Sequence, residues 1–438
     1  MRKGIPAPAS RHGAPRRVAV IGGGWAGLAA AVEATHMGCA VTLFEMAPQL
    51  GGRSRGIGIG TAGLDNGQHI LIGAYTETLA LMRRIGVDVE AALMRTPLRI
   101  SYPDGAGLKL QDGSPLTAFA RAVLAQHGWP WQARASLLVA AAGWAIRGFH
   151  CDASLTVAAL TAHMPQIVRD ELIDPLCVAA LNTPATHASA AVFLRVLKDA
   201  LFSGAGSADL LLPRVSLSAL LPEPAQQWLE HAGASIRLSR RVQSLSRTDD
   251  GWQVDNEPFD AVVLAMTPQE AARLTREINP AWSASAAALH FEPIITVYLR
   301  CANVRLPEPM LALRSNALFP AQFVFDRGQL GGPSGLLAFV ISGAAEWVAR
   351  GTEATLAATQ AQAQAVLASL AHRPTPQLEP VQVVIEKRAT FRCTPKLLRP
   401  AFIVAPDLTA AGDHIDGPYP ATLEGAVRSG LRAARALR

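Results

Sequence analysis

The chain is poor in aromatic and charged residues: 6% are Phe, Trp or Tyr and 17% are Asp, Glu, Lys or Arg. Its net charge of +6 is spread along the sequence, and no dense basic run is interleaved with aromatics. That argues against nucleic acid as a partner. No apolar run reaches membrane-spanning length; the most suspicious, Ala135–Ile146, is 12 residues between Arg134 and Arg147. A membrane span is therefore not expected, whereas a peripheral contact stays open. The five cysteines, Cys39, Cys151, Cys177, Cys301 and Cys393, include no CxxC pair. Such scatter argues against a structural zinc site and suits reduced, buried thiols in a cytoplasmic protein; no metal site is expected. Arg2, Lys3, Arg11, Arg16 and Arg17 precede no separate apolar segment, so the N-terminus does not read as a signal peptide. No internal repeat or low-complexity segment marks a linker.

What is present is a core. Half of the 438 residues are hydrophobic, enough for two domains or for one large nucleotide domain with an insertion. The run Arg17-Val-Ala-Val-Ile21 leads into Gly22-x-Gly24-Trp25-Ala26-Gly27, then an Ala-rich helical pattern, then a second strand, Ala40 to Phe44, that ends on Glu45. Strand, glycine turn, helix and strand in this order form a dinucleotide-binding unit. Gly22 permits the tight turn, Gly24 lets a pyrophosphate approach the backbone, and Gly27 lets helix and strand pack. The helix N-terminus offers N–H groups to phosphate. Glu45, 18 residues beyond Gly27, is placed to accept ribose hydroxyls. A second match, Gly58-x-Gly60-x-x-Gly63, lacks a preceding strand and is followed by polar residues, so a loop is expected there.

Gly51-Gly52-Arg53 lies directly behind the Glu45 strand, where the glycine pair admits a ligand and the arginine can meet a diphosphate. That favours a flavin dinucleotide over a nicotinamide. From about Leu116 to Phe202 the pattern is helical and greasy. Trp129, Trp131 and Trp144 within it suit either a membrane interface or a helical core. Short strands are expected at 235–238, 241–246, 251–254 and 259–265, with Val242 placed either to present its backbone to adenine or as a plain sheet residue. Strand patterns at 293–300, 322–325, 336–341 and 381–388 suggest a second sheet under the substrate. At the other end, Leu408–Ala411 runs into Gly412-Asp413-His414 and a final helix, 421–437. An Asp there can bond a ribityl hydroxyl, and the helix N-terminus can face the flavin; a simple capped terminal helix is the plainer reading.

The expected fold is α/β: a Rossmann-type FAD-binding domain with an interleaved substrate domain made of a mixed sheet and a helical insertion. The expected segments are 17–112 (FAD), 113–205 (helical, facing substrate or membrane), 206–275 (FAD), 276–400 (substrate sheet and helices) and 401–438 (FAD).

Together these motifs resemble the FAD-dependent amine oxidase and phytoene desaturase superfamily. Leu64-Asp-Asn-Gly-Gln-His69-Ile-Leu-Ile-Gly-Ala-Tyr75, Glu292-Pro-Ile-Ile-Thr-Val-Tyr-Leu299, Arg388-Ala-Thr-Phe391, Cys393-Thr-Pro395 and Asp416-Gly-Pro-Tyr-Pro-Ala-Thr-Leu-Glu-Gly-Ala426 resemble the bacterial hydroxysqualene dehydroxylases, also called squalene-associated FAD-dependent desaturases. The resemblance implies a reduced-flavin enzyme that converts hydroxysqualene to squalene and water for hopanoid synthesis, with a polyprenyl substrate; the chain shows no second fingerprint for a nicotinamide, so the reductant is expected to be external. It implies FAD contacts at Gly22, Gly24, Gly27, Glu45, Arg53 and Asp413. His414 departs from the pattern, in which an aromatic such as Tyr is expected.

Loss of the hydroxyl from an allylic carbinol needs a proton donor, exclusion of water and an apolar tunnel for the chain. The candidate acids are Asp65, His69, Asp416 and Tyr419. Asp65 can equally cap a turn, and His69 can equally bond flavin or backbone. Glu292 and Glu424 read as structural partners. Three rivals stand beside the dehydroxylase: an oxidative carotenoid-type desaturase, an amine oxidase, and a polyprenyl-lipid escort without catalysis.

Overall fold

The computed structural model describes residues 14–437 apart from 59–62, 112, 114, 127 and 371–376. The basic N-terminal residues Arg2, Lys3 and Arg11, and the middle of the Gly58–Gly63 motif, lie outside the described residues. The strands flanking that motif, Gly56–Ile57 and Leu64–Asp65, pair antiparallel, so it links a hairpin and does not join a strand to a helix.

The β-branched run Arg17–Ile21 forms the centre of a six-stranded sheet. Ala40–Phe44 and Ser235–Arg237 lie on one side of it, and Ala261–Leu264 and Leu408–Ala410 on the other, all parallel. Ile403–Ala405 closes the far edge antiparallel. The first and last parts of the chain thus share one sheet. The expected strand at 241–246 begins only at Leu245; Val242 lies in an irregular segment before it.

The helix Trp25–His36 is buried from Trp25 to Ala34 and apolar over that stretch except at Glu33, which pairs with Arg84 and Arg435. A helix of that kind needs cover all round. The sheet, the helix Pro222–His231 and the terminal helix Leu423–Arg435 supply it. Gly430 makes the last crossing possible, because a side chain there would start 2.1 Å from the Ala26 carbonyl oxygen.

The second sheet has five strands in the order Met310–Ala312, Phe323–Asp326, Leu336–Ile341, Phe291–Arg300, Glu379–Phe391, every pairing antiparallel. Strand alternation gives it two faces. Ile295, Val297 and Leu299 face the helices Ala345–Arg350 and Thr352–Ser369. Ile294 and Tyr298, with Phe323, Phe325, Ala338 and Val340, face the helical insertion.

That insertion comprises Pro115–Leu124, Trp131–Ile146, short helices across Val157–Leu181, and Ala190–Phe202. Trp129 and Trp144 are buried in it, the core reading of those indoles, whereas Trp131 is 72% exposed. A ladder at its base joins Leu210–Pro213 to Leu71–Ile72 and Leu93–Thr96. Among the described residues no helix is long and apolar enough to cross a membrane, and no cluster of His, Cys, Asp and Glu is placed to hold a metal ion.

Candidate active site

The glycine turn has the geometry its spacing demands. Gly22 adopts φ +113°, and a side chain at Gly27 would begin 1.8 Å from the Gly22 carbonyl oxygen. Gly24 is different: the nearest atom to a side chain there is the Cα of Gly52, 3.9 Å away. Two glycines are therefore spent on packing and one leaves backbone open to a ligand. The Trp25–His36 helix has no side-chain cap, so its first N–H groups are available to an anion. Trp25 donates from its indole to the Ser54 carbonyl (3.1 Å), and Gly51 donates to the Gly23 carbonyl (2.9 Å). These bonds hold the Gly51–Ser54 loop against the turn. Ala26 serves the crossing with Gly430.

Glu45 is buried and accepts from the Gly23 N–H (2.6 Å) and the Ala47 N–H (2.7 Å). Beside it, Ser239 and Arg240 donate to the Ala47 and Glu45 carbonyls, which brings the 239–242 segment alongside. Val242 is buried there, and its carbonyl accepts from Arg273 (2.7 Å).

Arg53 joins the two ends of the polypeptide. Its guanidinium donates to the Asp413 carboxylate (2.5 Å) and to the Ala389 carbonyl (2.7 Å). Burial alone would push the Asp413 carboxyl up, but the Arg53 guanidinium and His414 hold it well below the usual carboxylate range. His414, the departure from the family pattern, is buried with Nδ1 3.7 Å from Asp413. Gly412 lacks a side chain because the His414 ring lies 2.4 Å from where one would begin. The terminal helix is capped by Thr422, which accepts from the Gly425 N–H (3.0 Å). A diphosphate cradle, a buried acid at the ribose position and an Arg–Asp clasp fit a flavin dinucleotide.

The four candidate acids separate. Asp65 is buried, accepts from the Leu217 N–H (2.8 Å) and meets Arg327 at 3.4 Å. Burial raises its carboxyl above the usual range, against the pull of the Leu217 N–H and Arg327. His69 is half-buried near Arg53, and burial with that positive charge lowers its pKa to about 4. It is therefore a neutral imidazole at pH 7, a hydrogen-bonding group and a poor acid.

Asp416 is not in the site. Its side chain is 70% exposed and pairs with Arg399 at 3.3 Å, outside any apolar pocket. Tyr419 sits at φ +60° with its ring edge-on to Tyr75 (6.3 Å) and the Arg195 and Arg428 guanidiniums over it. Burial and Asp199 raise its hydroxyl pKa. Glu292 and Glu424 are structural: Glu292 pairs with Arg392, and Glu424 accepts from Thr78 and Arg428.

Sequence reasoning missed the partners that organise the Asp65–His69 loop. Tyr298 donates to the Asp65 carbonyl (2.8 Å), Gln68 donates to the Tyr298 hydroxyl (2.9 Å), and Arg327 donates to Gln68 (3.1 Å). Thr296, on the same face as Tyr298, is 1% exposed with an unpartnered hydroxyl, and His69 Nδ1 is also buried and unpartnered. A buried polar atom left so costs about 1–3 kcal/mol. The alternation of Ile294, Thr296 and Tyr298 was the available signal; which face looks toward the insertion was not.

The protein-family model for flavin containing amine oxidoreductase matches residues 25–438. A hydroxysqualene dehydroxylase of Sinorhizobium fredii (strain NBRC 101917 / NGR234) is 28% identical over 96% of this chain and 98% of its own length. One of Rhodopseudomonas palustris (strain ATCC BAA-98 / CGA009) is 29% identical over 96% and 97%. Among solved structures, an oxidoreductase from Methanosarcina mazei superposes with a TM-score of 0.70 at 16% identity, over 96% of this chain and all of the other. Cyclohexylamine oxidase from Brevibacterium oxydans IH-35A gives 0.64 at 18%, over 97% and 98%. At such identities the two structures establish the fold. The family match extends from the glycine-turn helix to the terminal one, and the chain belongs to the flavin containing amine oxidoreductase family, an oxidoreductase with FAD as its cofactor.

Proposed function

We propose that this enzyme removes the hydroxyl of hydroxysqualene to give squalene and water, supplying hopanoid or other triterpene synthesis. The observation that carries the reading is the end-to-end similarity to two hydroxysqualene dehydroxylases, each covering 96% of this chain. Residues Gly22, Gly24, Gly27, Glu45, Gly52, Arg53, Val242, Gly412 and Asp413 surround the FAD position. The reduced flavin supplies a hydride when bound. The rest falls to the protein: it seats an oil, keeps water out and manages one hydroxyl and one proton. The layer between the five-stranded sheet and the helical insertion is apolar, and its fringe of half-buried Ile57, Ile70, Val192, Ile294 and Val384 suits a polyprenyl chain. Burial of each methylene stabilises binding by about 0.8 kcal/mol.

An amine oxidase reading gains nothing from Tyr75 and Tyr419, whose interplanar angle of 77° does not make two parallel walls. The carotenoid-type desaturase remains the nearest rival because it runs the same cofactor in the opposite direction. Anaerobic, chemically reduced enzyme mixed with hydroxysqualene separates the two. Flavin reoxidation matched by squalene formation is expected; a flavin that stays reduced while the alcohol persists would rule the dehydroxylase out. The same mixture tests the escort reading, which predicts binding without reoxidation under any reductant.

The finer partners follow from the same chemistry. The reductant is external. The insertion rests on an anionic bilayer at the inner face of the membrane, from which the oil is drawn. The helix Trp131–Ile146 buries Ala133, Leu137, Ala140 and Trp144, yet its opposite stripe leaves Trp131, Val139 and Ile146 72%, 72% and 87% exposed. Leu116 and Leu124 are exposed on the preceding helix, and Arg134 ties the two by donating to the Leu124 carbonyl (3.1 Å). Residues 115–150 contain Arg121, Arg134 and Arg147 and no acid, a balance that suits anionic headgroups. Sedimentation with vesicles of phosphatidylglycerol and phosphatidylcholine is expected to carry down the wild type and to leave Trp131→Ser/Ile146→Ser in solution. Equal binding by both would refute this surface.

A further inference from the structure

One residue of the sheet face toward the insertion does not suit its surroundings. Thr296 is flanked across the ladder by Val340 on one side and Val384 on the other, and along its own strand by Ile294 and Tyr298. The Tyr298 hydroxyl is committed to the Asp65 carbonyl and Gln68. The Thr296 hydroxyl has no partner, although valine would fill the same space with no polar atom to satisfy. His69 Nδ1, also without a partner, belongs to the loop that crosses this face. Between them is Gly67: a side chain there would begin 3.7 Å from His69 Cε1 and 3.9 Å from Thr296 Oγ1. The edge of the His69 ring and the Thr296 hydroxyl therefore both border the space where Gly67 has no side chain. Val340 and Val384 of the apolar layer flank Thr296, and Arg53 of the FAD site is near enough to His69 for its charge to be felt.

We propose that Thr296 and His69 together receive the alcohol of the substrate and make the site select the oxygenated chain over the hydrocarbon it becomes. This rests on the dehydroxylase reading and deepens it. An alcohol donates one hydrogen bond and accepts others; the threonine hydroxyl does both, and a neutral imidazole nitrogen takes or gives one according to its tautomer. Neither residue is a strong acid here, so both act by binding and positioning the hydroxyl. Once the C–O bond breaks and the oxygen leaves as water, the hydrocarbon has nothing to offer them, and two buried polar atoms are again unpaired. A site of this kind disfavours the molecule that lacks the hydroxyl. Product then yields to fresh substrate, although the two share nearly all of their apolar surface.

The test uses oxidised holoenzyme without reductant, so that no turnover occurs. Detergent-dispersed hydroxysqualene or squalene is titrated in, and the perturbation of the flavin absorption spectrum gives each Kd. The wild type is expected to prefer the alcohol by about tenfold or more, the worth of one net hydrogen bond. Thr296→Val is expected to bring the two affinities within about twofold by weakening the alcohol alone, while Thr296→Ser keeps the preference. His69→Gln is expected to lose part of it, and it serves as the second variant should valine reduce flavin content. A full preference retained by Thr296→Val, or by His69→Gln where valine fails to fold, overturns the assignment. If reduced wild type makes squalene while these variants keep their preference, this pair alone is refuted. If wild type shows neither preference nor turnover, the dehydroxylase reading falls with it.

Discussion

At the dinucleotide end, Gly22, Gly24, Gly27 and Glu45 come from one strand–turn–helix–strand unit; its charged side chains are paired, and what stays open to a ligand is backbone, the first N–H groups of the helix. Glu45 accepts two backbone N–H groups, and Arg53 is clasped by Asp413 and Ala389. At the hydroxyl end, Asp65, Gln68, His69, Thr296, Tyr298 and Arg327 come from three stretches far apart in sequence, and two of their polar atoms are unpaired. The contrast separates two ways of making a site. A cofactor that stays bound can be met by a rigid backbone cradle. A substrate that must leave without its oxygen is better met by side chains that hold one open hydrogen bond.

The cradle is the more brittle of the two. In Gly27→Val the new side chain would start 1.8 Å from the Gly22 carbonyl oxygen, a contact that only a backbone shift can relieve. A cost above about 4 kcal/mol is expected, in the range of severe core disruption. The readouts are flavin absorbance per chain and a urea melt: colourless, largely unfolded protein is expected. A yellow, stable variant would show that the turn relaxes and that the cradle is not rigid.

The hydroxyl end depends on a single buried charge pair. Arg327 and Asp65 are each nearly inaccessible and 3.4 Å apart. Arg327→Met leaves the carboxylate buried without its counter-charge, for an expected loss of about 3–5 kcal/mol. Asp65→Asn/Arg327→Met is expected to recover much of it, since an uncharged pair no longer carries the desolvation penalty. Denaturant melts of the two single variants and the double close the cycle. Strictly additive losses would mean that the pair does not organise the loop.

Protons discriminate more finely. His69 has a folded-state pKa of about 4 against an ordinary value near 6.5. The unfolded chain therefore binds more protons between those values, and stability falls as pH drops from about 6.5 toward 4. His69→Gln removes that slope. Between pH 7 and pH 4 the wild type is expected to lose up to about 3 kcal/mol more than the variant. The Asp65 carboxyl is raised and works in the opposite direction, and Asp413 is lowered; both are present in either protein and cancel from the difference. Parallel pH profiles would place the His69 ring in water.

How much of this was legible follows the same division. The FAD end could be read because glycine spacing and the acid at a strand end reflect local backbone geometry, and local geometry survives in sequence. The five-stranded sheet could be read as strands, since Phe291–Arg300 and Leu336–Ile341 are apolar and β-branched. The strand expected at 241–246 could not be trusted. Val242 is apolar because it is buried in the cluster that holds Ile21, Phe44 and Leu264, and an apolar residue in a buried loop looks like one in a sheet. Arg327 was invisible for another reason: nothing around a lone arginine says that it will be buried, and its partners Gln68 and Asp65 lie 259 and 262 positions away. Thr296 could be read as part of an apolar strand, but not that its hydroxyl would be left without a partner.

The smallest expected effect concerns Asp416. From sequence it stood level with Asp65 as a candidate acid, because it lies three residues from the Gly-Asp pair and next to a helix. Its neighbours in space differ: the side chain is 70% exposed, Arg399 meets it at 3.3 Å, and its backbone N–H is spent on Pro400. Exposed pairs of this sort contribute about 0–1 kcal/mol. Asp416→Asn should therefore shift the urea midpoint by no more than that, and leave single-turnover flavin reoxidation within about twofold of wild type at every pH from 5 to 9. A proton donor replaced by an amide would instead slow the step by 10²–10⁴ and remove a limb of the pH profile. If that larger effect appeared, the acid would have to reach the substrate from the solvent side, and the division drawn between a closed cradle and an open hydroxyl site would have to be redrawn with the C-terminal loop inside it.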